Sequence, residues 1–211
     1  MKAKTELVDF SDEFVRSEAQ RLHFAYGLKL KLRYATTRDE TVHNESVAEH
    51  KFAALYLAYY FLPLEDPRRL MCWETVNLIL LFHDFPELKH GDFPYHLKTR
   101  EDEERERRAA PEVFASLPAA IGRAGYVYWR EYEKGVTREA RFAQAVDKIE
   151  PLFELLGRVQ AHSIKRLRFT YEQHMGKKLA ATEGFPYMRR FVEVMSADML
   201  ARGDFWTPEN E

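Results

Sequence analysis

Residues 46–61 read SVAEHKFAALYLAYYF, and this stretch sets the fold class. Ser46 is followed three residues later by Glu49, which is the capping-box pattern of a helix N-terminus, because each side chain can accept a hydrogen bond from the other residue's backbone N–H. The helix is expected to run through the apolar residues that follow to about Phe61, and Pro63 is expected to end it. The stretch therefore predicts a helix that carries His50.

Helical periodicity dominates the rest of the chain as well. We find neither a run of alternating strand residues nor a hairpin turn of the Asn-Gly type between apolar runs. Further helices are predicted at about 11–30, 67–84, 98–108, 111–117, 128–133, 137–157, 162–175 and 185–201. The predicted fold class is all-α, with one domain over residues 1–211. The part of this domain that carries the candidate functional residues lies at about 33–157, and C-terminal helices follow at about 160–203.

The composition excludes several classes of protein. Of the 211 residues, 45% are hydrophobic and 14% aromatic, so the chain can bury a core and is not a disordered or low-complexity protein. Lys plus Arg number 32 and Asp plus Glu number 34, which leaves a net charge of -2 and no basic field for a nucleic-acid backbone. We therefore expect no nucleic acid among the partners.

The sequence also predicts a cytoplasmic protein that does not cross a membrane. The most apolar stretches, 56–64 and 78–82, reach about half or less of the roughly 20 residues that span a bilayer. Cys72 is the single cysteine, so no intramolecular disulfide can form, and the first ten residues lack the apolar core of a secretory signal.

Four side chains on three predicted helices carry the chemistry. His50 lies on the first of them, the pair His83-Asp84 ends the next, and Asp147 lies inside the helix at 137–157. Two imidazoles and two carboxylates suit a divalent ion, and facing helices of a bundle are a usual place to assemble such a set. Taken alone, each residue is more often a hydrogen-bonded core or surface residue. A metal would satisfy several buried polar groups at once.

The pattern resembles the HD-domain phosphohydrolases, whose motif is a His, a His-Asp pair and a distant Asp. It is most similar to the 5′-deoxynucleotidase branch, through ESVAEH at 45–50, HDFPE at 83–87 and GDFP at 91–94. The resemblance covers about residues 33–149. It implies a helical bundle with a C-terminal helical extension that often forms homodimers. It also implies one divalent ion, which is manganese, cobalt, magnesium, iron, nickel or zinc, held by His50, His83, Asp84 and Asp147.

Four further residues receive roles from the resemblance. Glu87 and Asp92 would act in general acid/base catalysis, while Arg33 and Lys98 would hold the substrate phosphate. From the residues alone, Glu87 could equally be an exposed side chain, Asp92 a turn residue after Gly91, and Arg33 a surface arginine. At position 34 this chain has a tyrosine where relatives selective for deoxynucleotides have tryptophan, so the sugar preference stays open.

The predicted activity is that of a phosphomonoesterase on nucleoside 5′-monophosphates, in which a metal-activated water attacks phosphorus. One alternative is hydrolysis of a nucleoside triphosphate or signalling nucleotide at the same centre. Another is a nucleotide-binding or scaffold protein with a structural metal. Independently of any family, Pro151 has no amide hydrogen to bond the carbonyl of Asp147, and a kink that aims Asp147 at the metal is predicted there.

Overall fold

The protein is described by a computed structural model that covers residues 12–33, 45–93, 97–156 and 163–208. Its helices are α1 (Asp12–Phe24), a 3-10 helix (Ala25–Leu30), α2 (Val47–Glu65), α3 (Trp73–Phe82), α4 (Glu87–His90), α5 (Arg100–Ala115), α6 (Ala119–Lys134), α7 (Arg138–Glu154), α8 (163–166), α9 (Tyr171–Ala181) and α10 (Pro186–Ala201). Within these ranges the only strand-like pairing is one bridge between Leu32 and Ser46. The predicted all-α class is confirmed.

Side-chain caps begin two of the helices that carry site residues, α2 and α7. The Ser46 N–H donates to Glu49 Oε2 at 2.7 Å, and the Glu49 N–H donates to Ser46 Oγ at 3.3 Å, so the predicted capping box is present. Thr137 accepts from the Ala140 N–H at 3.1 Å and caps α7. Such caps satisfy backbone donors that a helix start leaves unpaired.

Two prolines predicted as helix boundaries lie inside helices instead. Pro63 was expected to end α2, but the helix continues to Glu65. Pro63 removes one backbone bond in the last turn, and the Asp66 N–H still donates to the Leu62 carbonyl at 2.8 Å. Pro111 lies within α5, which joins the two helices predicted at 98–108 and 111–117.

The helix expected at 67–84 begins later, at Trp73. The Asp66 carboxylate accepts the backbone N–H of Met71 at 2.6 Å, which closes a loop ahead of the helix. Arg69 in that loop has a φ of +53°, a left-handed conformation that a helix would not allow. Ser11, where the first helix was predicted to begin, lies outside the described residues.

Helix α7 is central to the fold and is buried along most of its length. It contacts α2, α3, α6, α9 and α10. Phe142, Val146 and Ile149 of α7 are fully buried in the larger core, and a second core around Phe82 and Phe114 lies under α5 and α6. The site residues of α2, α3 and α7 therefore start from a rigid, packed framework. None of the described helices has the length and apolar character needed to cross a membrane.

We expect His174 to make the fold sensitive to acid. This buried residue lies with Nε2 2.8 Å from Ser196 Oγ of α10, and burial together with the Lys178 charge lowers its pKa to about 2. Unfolded, the imidazole binds a proton below about pH 6.5. The folded state disfavours that proton, so the stability from neutral His174 is complete above pH 6.5 and falls by about 1.4 kcal/mol per pH unit below it.

Urea denaturation of the wild type and His174→Gln between pH 4.5 and 7.5 measures this effect. Carboxylates elsewhere also contribute to the pH dependence, so the comparison between the two proteins is decisive. The variant is expected to lose less stability per pH unit on acidification than the wild type. Parallel curves would contradict the assignment.

Candidate metal centre

Side chains from three helices converge on one point. Helix α2 contributes His50, the end of α3 is followed by His83 and Asp84, and α7 contributes Asp147. His83 Nε2 lies 3.0 Å from Asp84 Oδ2 and 3.7 Å from Asp147 Oδ1, while His50 Nε2 lies 3.6 Å and 3.1 Å from the same two atoms. One ligand atom each of His50, His83 and Asp84 lies within 4.8 Å of the others. The structure thus brings together all four residues predicted from the sequence.

Backbone and carboxylate acceptors orient the two imidazoles. His83 Nδ1 lies 2.8 Å from the Leu80 carbonyl, and His50 Nδ1 lies 2.8 Å from Glu150 Oε2. Since a carbonyl can only accept, Nδ1 of His83 carries the hydrogen in the neutral ring and Nε2 presents a lone pair to the cluster. That buried Nε2 makes no hydrogen bond with any described residue. A buried lone pair beside two carboxylates fits a divalent cation.

Asp147 uses its two oxygens differently. Oδ1 faces the histidines, whereas Oδ2 accepts from the Tyr132 hydroxyl at 2.6 Å and from Lys148 Nζ at 2.6 Å. Burial raises the pKa of Asp147, but Lys148 and the two neighbouring histidines hold it well below the usual range. Asp147 is therefore a carboxylate with one oxygen held by neighbours and one presented to the cluster.

The charges around His50 and Asp84 also favour a cation. Burial and Arg33 lower the pKa of His50, but the adjacent Glu150 and Asp147 outweigh them and raise it to about 9. Burial raises the pKa of Asp84, and His83 with Lys51 and His50 lowers it below its usual range. A divalent ion here would replace the proton of His50, because a ligating imidazole must be neutral.

Glu45 and Glu150 form a buried support beneath His50 that the sequence did not identify. Arg33 Nη1 lies 3.1 Å from Glu150 Oε2 and 3.4 Å from Glu45 Oε2. Glu45, His50 and Glu150 also form a group able to bind a metal, but the Arg33 guanidinium already supplies positive charge there. Burial raises the pKa of Glu45 to about 8, with Arg33 lowering it and Glu150 raising it.

A cavity of about 340 Å³ opens over the histidines. It is lined by all eight residues singled out from the sequence: Arg33, His50, His83, Asp84, Glu87, Asp92, Lys98 and Asp147. The volume lies at the lower end of the range for small-molecule sites, which is roughly 300–1,000 Å³. The cavity therefore suits a small ligand.

Glu87 lies at the start of α4, where the chain turns away from α3. Its Oε2 is buried and has no hydrogen-bond partner among the described residues. Burial, followed by the charges of Asp84 and Asp92, raises the pKa of Glu87 well above its usual value. Gly91 ends α4 with a φ of +76°, a conformation that favours glycine, and Asp92 follows on the cavity wall.

Lys98 lies on the cavity wall but is already paired. Its ammonium donates to the Glu106 carboxylate, which raises the pKa of Lys98 although burial lowers it. Tyr34, on which the predicted sugar preference depends, lies outside the described residues.

Sequence comparison shows that the chain is similar to proteins of a known family. The family model for the HD domain matches residues 25–189. The human 5'-deoxynucleotidase HDDC2 is 27% identical over 178 residues, 83% of this chain and 85% of the relative. The Xenopus laevis protein of the same name is 31% identical over 114 residues, 53% of this chain and 54% of the relative. The match thus spans about half the length of the frog relative.

Solved structures share the fold. A protein described as a predicted metal-dependent phosphohydrolase from Magnetospirillum magnetotacticum aligns with a TM-score of 0.79 at 24% identity, over 95% of this chain and all of that chain. An HD-domain phosphohydrolase from Listeria innocua aligns with a TM-score of 0.63 at 21% identity, over 87% of this chain and 89% of its own. At these identities the likeness concerns the fold.

Proposed function

Because this chain belongs to the HD domain family, we propose that it is a divalent-metal-dependent phosphohydrolase acting as a phosphomonoesterase on nucleoside 5′-monophosphates. The family predicted from the sequence is confirmed, and a nucleotide phosphohydrolase agrees with relatives named 5'-deoxynucleotidase. The observation that carries the proposal is the buried Nε2 of His83, which makes no hydrogen bond with the described residues and faces two carboxylates and a second imidazole.

The metal ligands in this proposal are His50 and His83 through Nε2, with one oxygen each from Asp84 and Asp147. A divalent ion supplies two things when it is bound there: a lower pKa for a water and charge compensation for a phosphoryl oxygen. With four protein ligands, an open position requires five or six ligands in all, which favours ions other than tetrahedral structural zinc.

Glu87 and Asp92 handle protons in the proposed reaction. The buried Oε2 of Glu87 needs a partner, and a water in the cavity would supply one. Positive charge in the cavity favours the ionised carboxylate, so Glu87 becomes able to accept a proton from that water. Asp92 lies on the same cavity wall and is proposed to protonate the leaving-group oxygen.

Arg33 and Lys98 are proposed to hold the phosphate. A guanidinium carries five N–H donors, so the contacts that Arg33 Nη1 makes with Glu150 and Glu45 are compatible with a further contact to a phosphate oxygen. The carboxylates beneath Arg33 would then hold its planar fork at the cavity edge.

Metal removal and a substrate panel test the proposed function. Dialysis against a chelator is expected to abolish hydrolysis of nucleoside 5′-monophosphates, and adding back one ion at a time is expected to restore it. The panel compares ribo- and deoxynucleoside mono- and triphosphates, with product analysis. Release of inorganic phosphate from monophosphates supports the proposal. Turnover of triphosphates alone contradicts it, as does a chelator-sensitive melting temperature in a protein that hydrolyses no phosphate ester.

The proposal also includes the assembly and location expected from the sequence. A stripe of exposed aromatic side chains on α2 supports a homodimer, because a second copy could cover it: Phe52, Tyr56, Tyr59 and Tyr60. We retain a single domain over residues 1–211 and a cytoplasmic location as parts of the proposal.

A further inference from the structure

The C-terminal helix α9 reaches the same cavity as the candidate metal ligands. Lys177 and Ala181 of α9 line the cavity together with His50, His83 and Asp147. Residues four apart lie on one face of a helix, so one face of α9 forms part of the cavity wall. The motif analysis assigned no role to this part of the chain.

Lys178 fixes α9 against α7 beside the metal cluster. Its side chain is buried, and its ammonium donates to the carbonyl of Lys148, the residue after Asp147. Pro151 has no N–H for the carbonyl of Asp147, and the Lys178 ammonium binds the next carbonyl along, so α9 is tied to the turn of α7 that carries Asp147. The adjacent Lys177 is thereby held at the cavity.

Among the described residues, Lys177 differs from the other basic side chains of the cavity wall in its lack of an ion pair. The other three Lys and Arg side chains on the cavity wall each contact a carboxylate: Arg33 contacts Glu150, Lys98 contacts Glu106, and Lys148 contacts Asp147. Lys177 is exposed, and its ammonium forms no ion pair with any residue in the described ranges. An anionic ligand in the cavity would give this ammonium a direct ionic partner.

We propose that Lys177 is a substrate-binding residue, which contacts the phosphate of the nucleotide and makes α9 a wall of the substrate site. This inference rests on the proposed function and extends it to the C-terminal helices. A lysine suits the position because its ammonium is a compact charge on a flexible stem, able to follow phosphate oxygens at an open rim. Ala181, one turn further on, leaves room for the ligand beside it.

Steady-state kinetics of Lys177→Ala, Lys177→Arg and Lys165→Ala test the inference. Loss of one charge-assisted contact is expected to raise KM for a nucleoside 5′-monophosphate about tenfold in Lys177→Ala, with kcat changed less than about twofold. Lys177→Arg keeps the charge and is expected to recover most of the affinity. Lys165 is an exposed lysine of the same C-terminal region that does not line the cavity, so Lys165→Ala should match the wild type.

Calorimetric titration with inorganic phosphate separates this inference from the proposed function. It is performed on the magnesium-loaded wild type and on Lys177→Ala, and it needs no turnover. Weaker phosphate binding by the variant supports the inference even if the wild type hydrolyses none of the esters tested. Equal binding by the two proteins, or equal KM values in an active enzyme, overturns it and leaves the hydrolase proposal intact.

Discussion

Asp147→Asn is expected to lose divalent-metal binding and nearly all hydrolysis. The substitution keeps the shape of the side chain but removes the charge from Oδ1, the Asp147 oxygen that faces both imidazoles. An amide at this position also leaves Lys148 without its carboxylate partner. We expect metal affinity to fall at least about 100-fold and kcat/KM at least about 1,000-fold. Calorimetry and metal analysis after dialysis measure the first, and phosphate release measures the second.

Two further variants show whether the loss belongs to the ligand oxygen. Glu139→Gln makes the same chemical change on the same helix, at a carboxylate that accepts from the Cys72 N–H, and is expected to bind metal normally. Tyr132→Phe removes the hydrogen bond to Oδ2 and leaves Oδ1 in place. We expect it to cost about tenfold in metal affinity, the lower end of the effect of a partner that orients a ligand. Normal metal affinity in Asp147→Asn would remove this residue from the proposed ligand set.

The helices could be predicted because capping patterns are local, and the cluster because its four residues match the HD-domain motif. Capping residues such as Ser46 and Thr137 act within one helical turn, so their effect can be deduced from the neighbouring residues in the sequence. Pro63 and Pro111 misled the prediction because a proline removes only one hydrogen bond, and the surrounding helix packing decides whether the helix continues.

The residues that support the cluster could not be found in the same way. Glu45 and Glu150 lie far apart in the chain, and what brings them together is the packing of the segment before α2 against α7. One local signal existed for Glu150: it follows Asp147 by three residues, so both lie on one side of the helix. The tyrosine that holds Asp147, Tyr132, gave no signal, since a buried tyrosine is ordinarily part of a core.

Lys177 illustrates a third limit of sequence reasoning. An exposed lysine on an amphipathic helix is ordinarily a solvated residue, and its spacing from the motif carries no information. Its position at the cavity follows from the buried bond between Lys178 and the Lys148 carbonyl, which no pattern along the chain predicts. The proposed role of Lys177 thus depends on tertiary contacts and not on its sequence neighbours.

Glu87→Gln is expected to separate catalysis from metal binding. Glutamine fills the same space and can hydrogen-bond to a water, but it cannot accept a proton from that water. Removing a general acid or base typically costs 10²–10⁴ in rate, so we expect kcat to fall within about this range. Metal affinity should stay within about threefold of the wild type, since Glu87 is not among the proposed ligands.

The pH profile shows whether the lost group titrates in the reaction. Activity of the wild type requires ionised Glu87, so kcat falls as the pH drops through the pKa of this carboxyl in the metal-loaded enzyme. Gln does not titrate, and the acidic limb should disappear from the residual activity of Glu87→Gln. The matched control is Glu74→Gln, the same change at an exposed residue in the first turn of α3. An unchanged acidic limb in Glu87→Gln would assign the proton transfer to another residue of the cavity, with Asp92 the first to test, because it lies on the same wall.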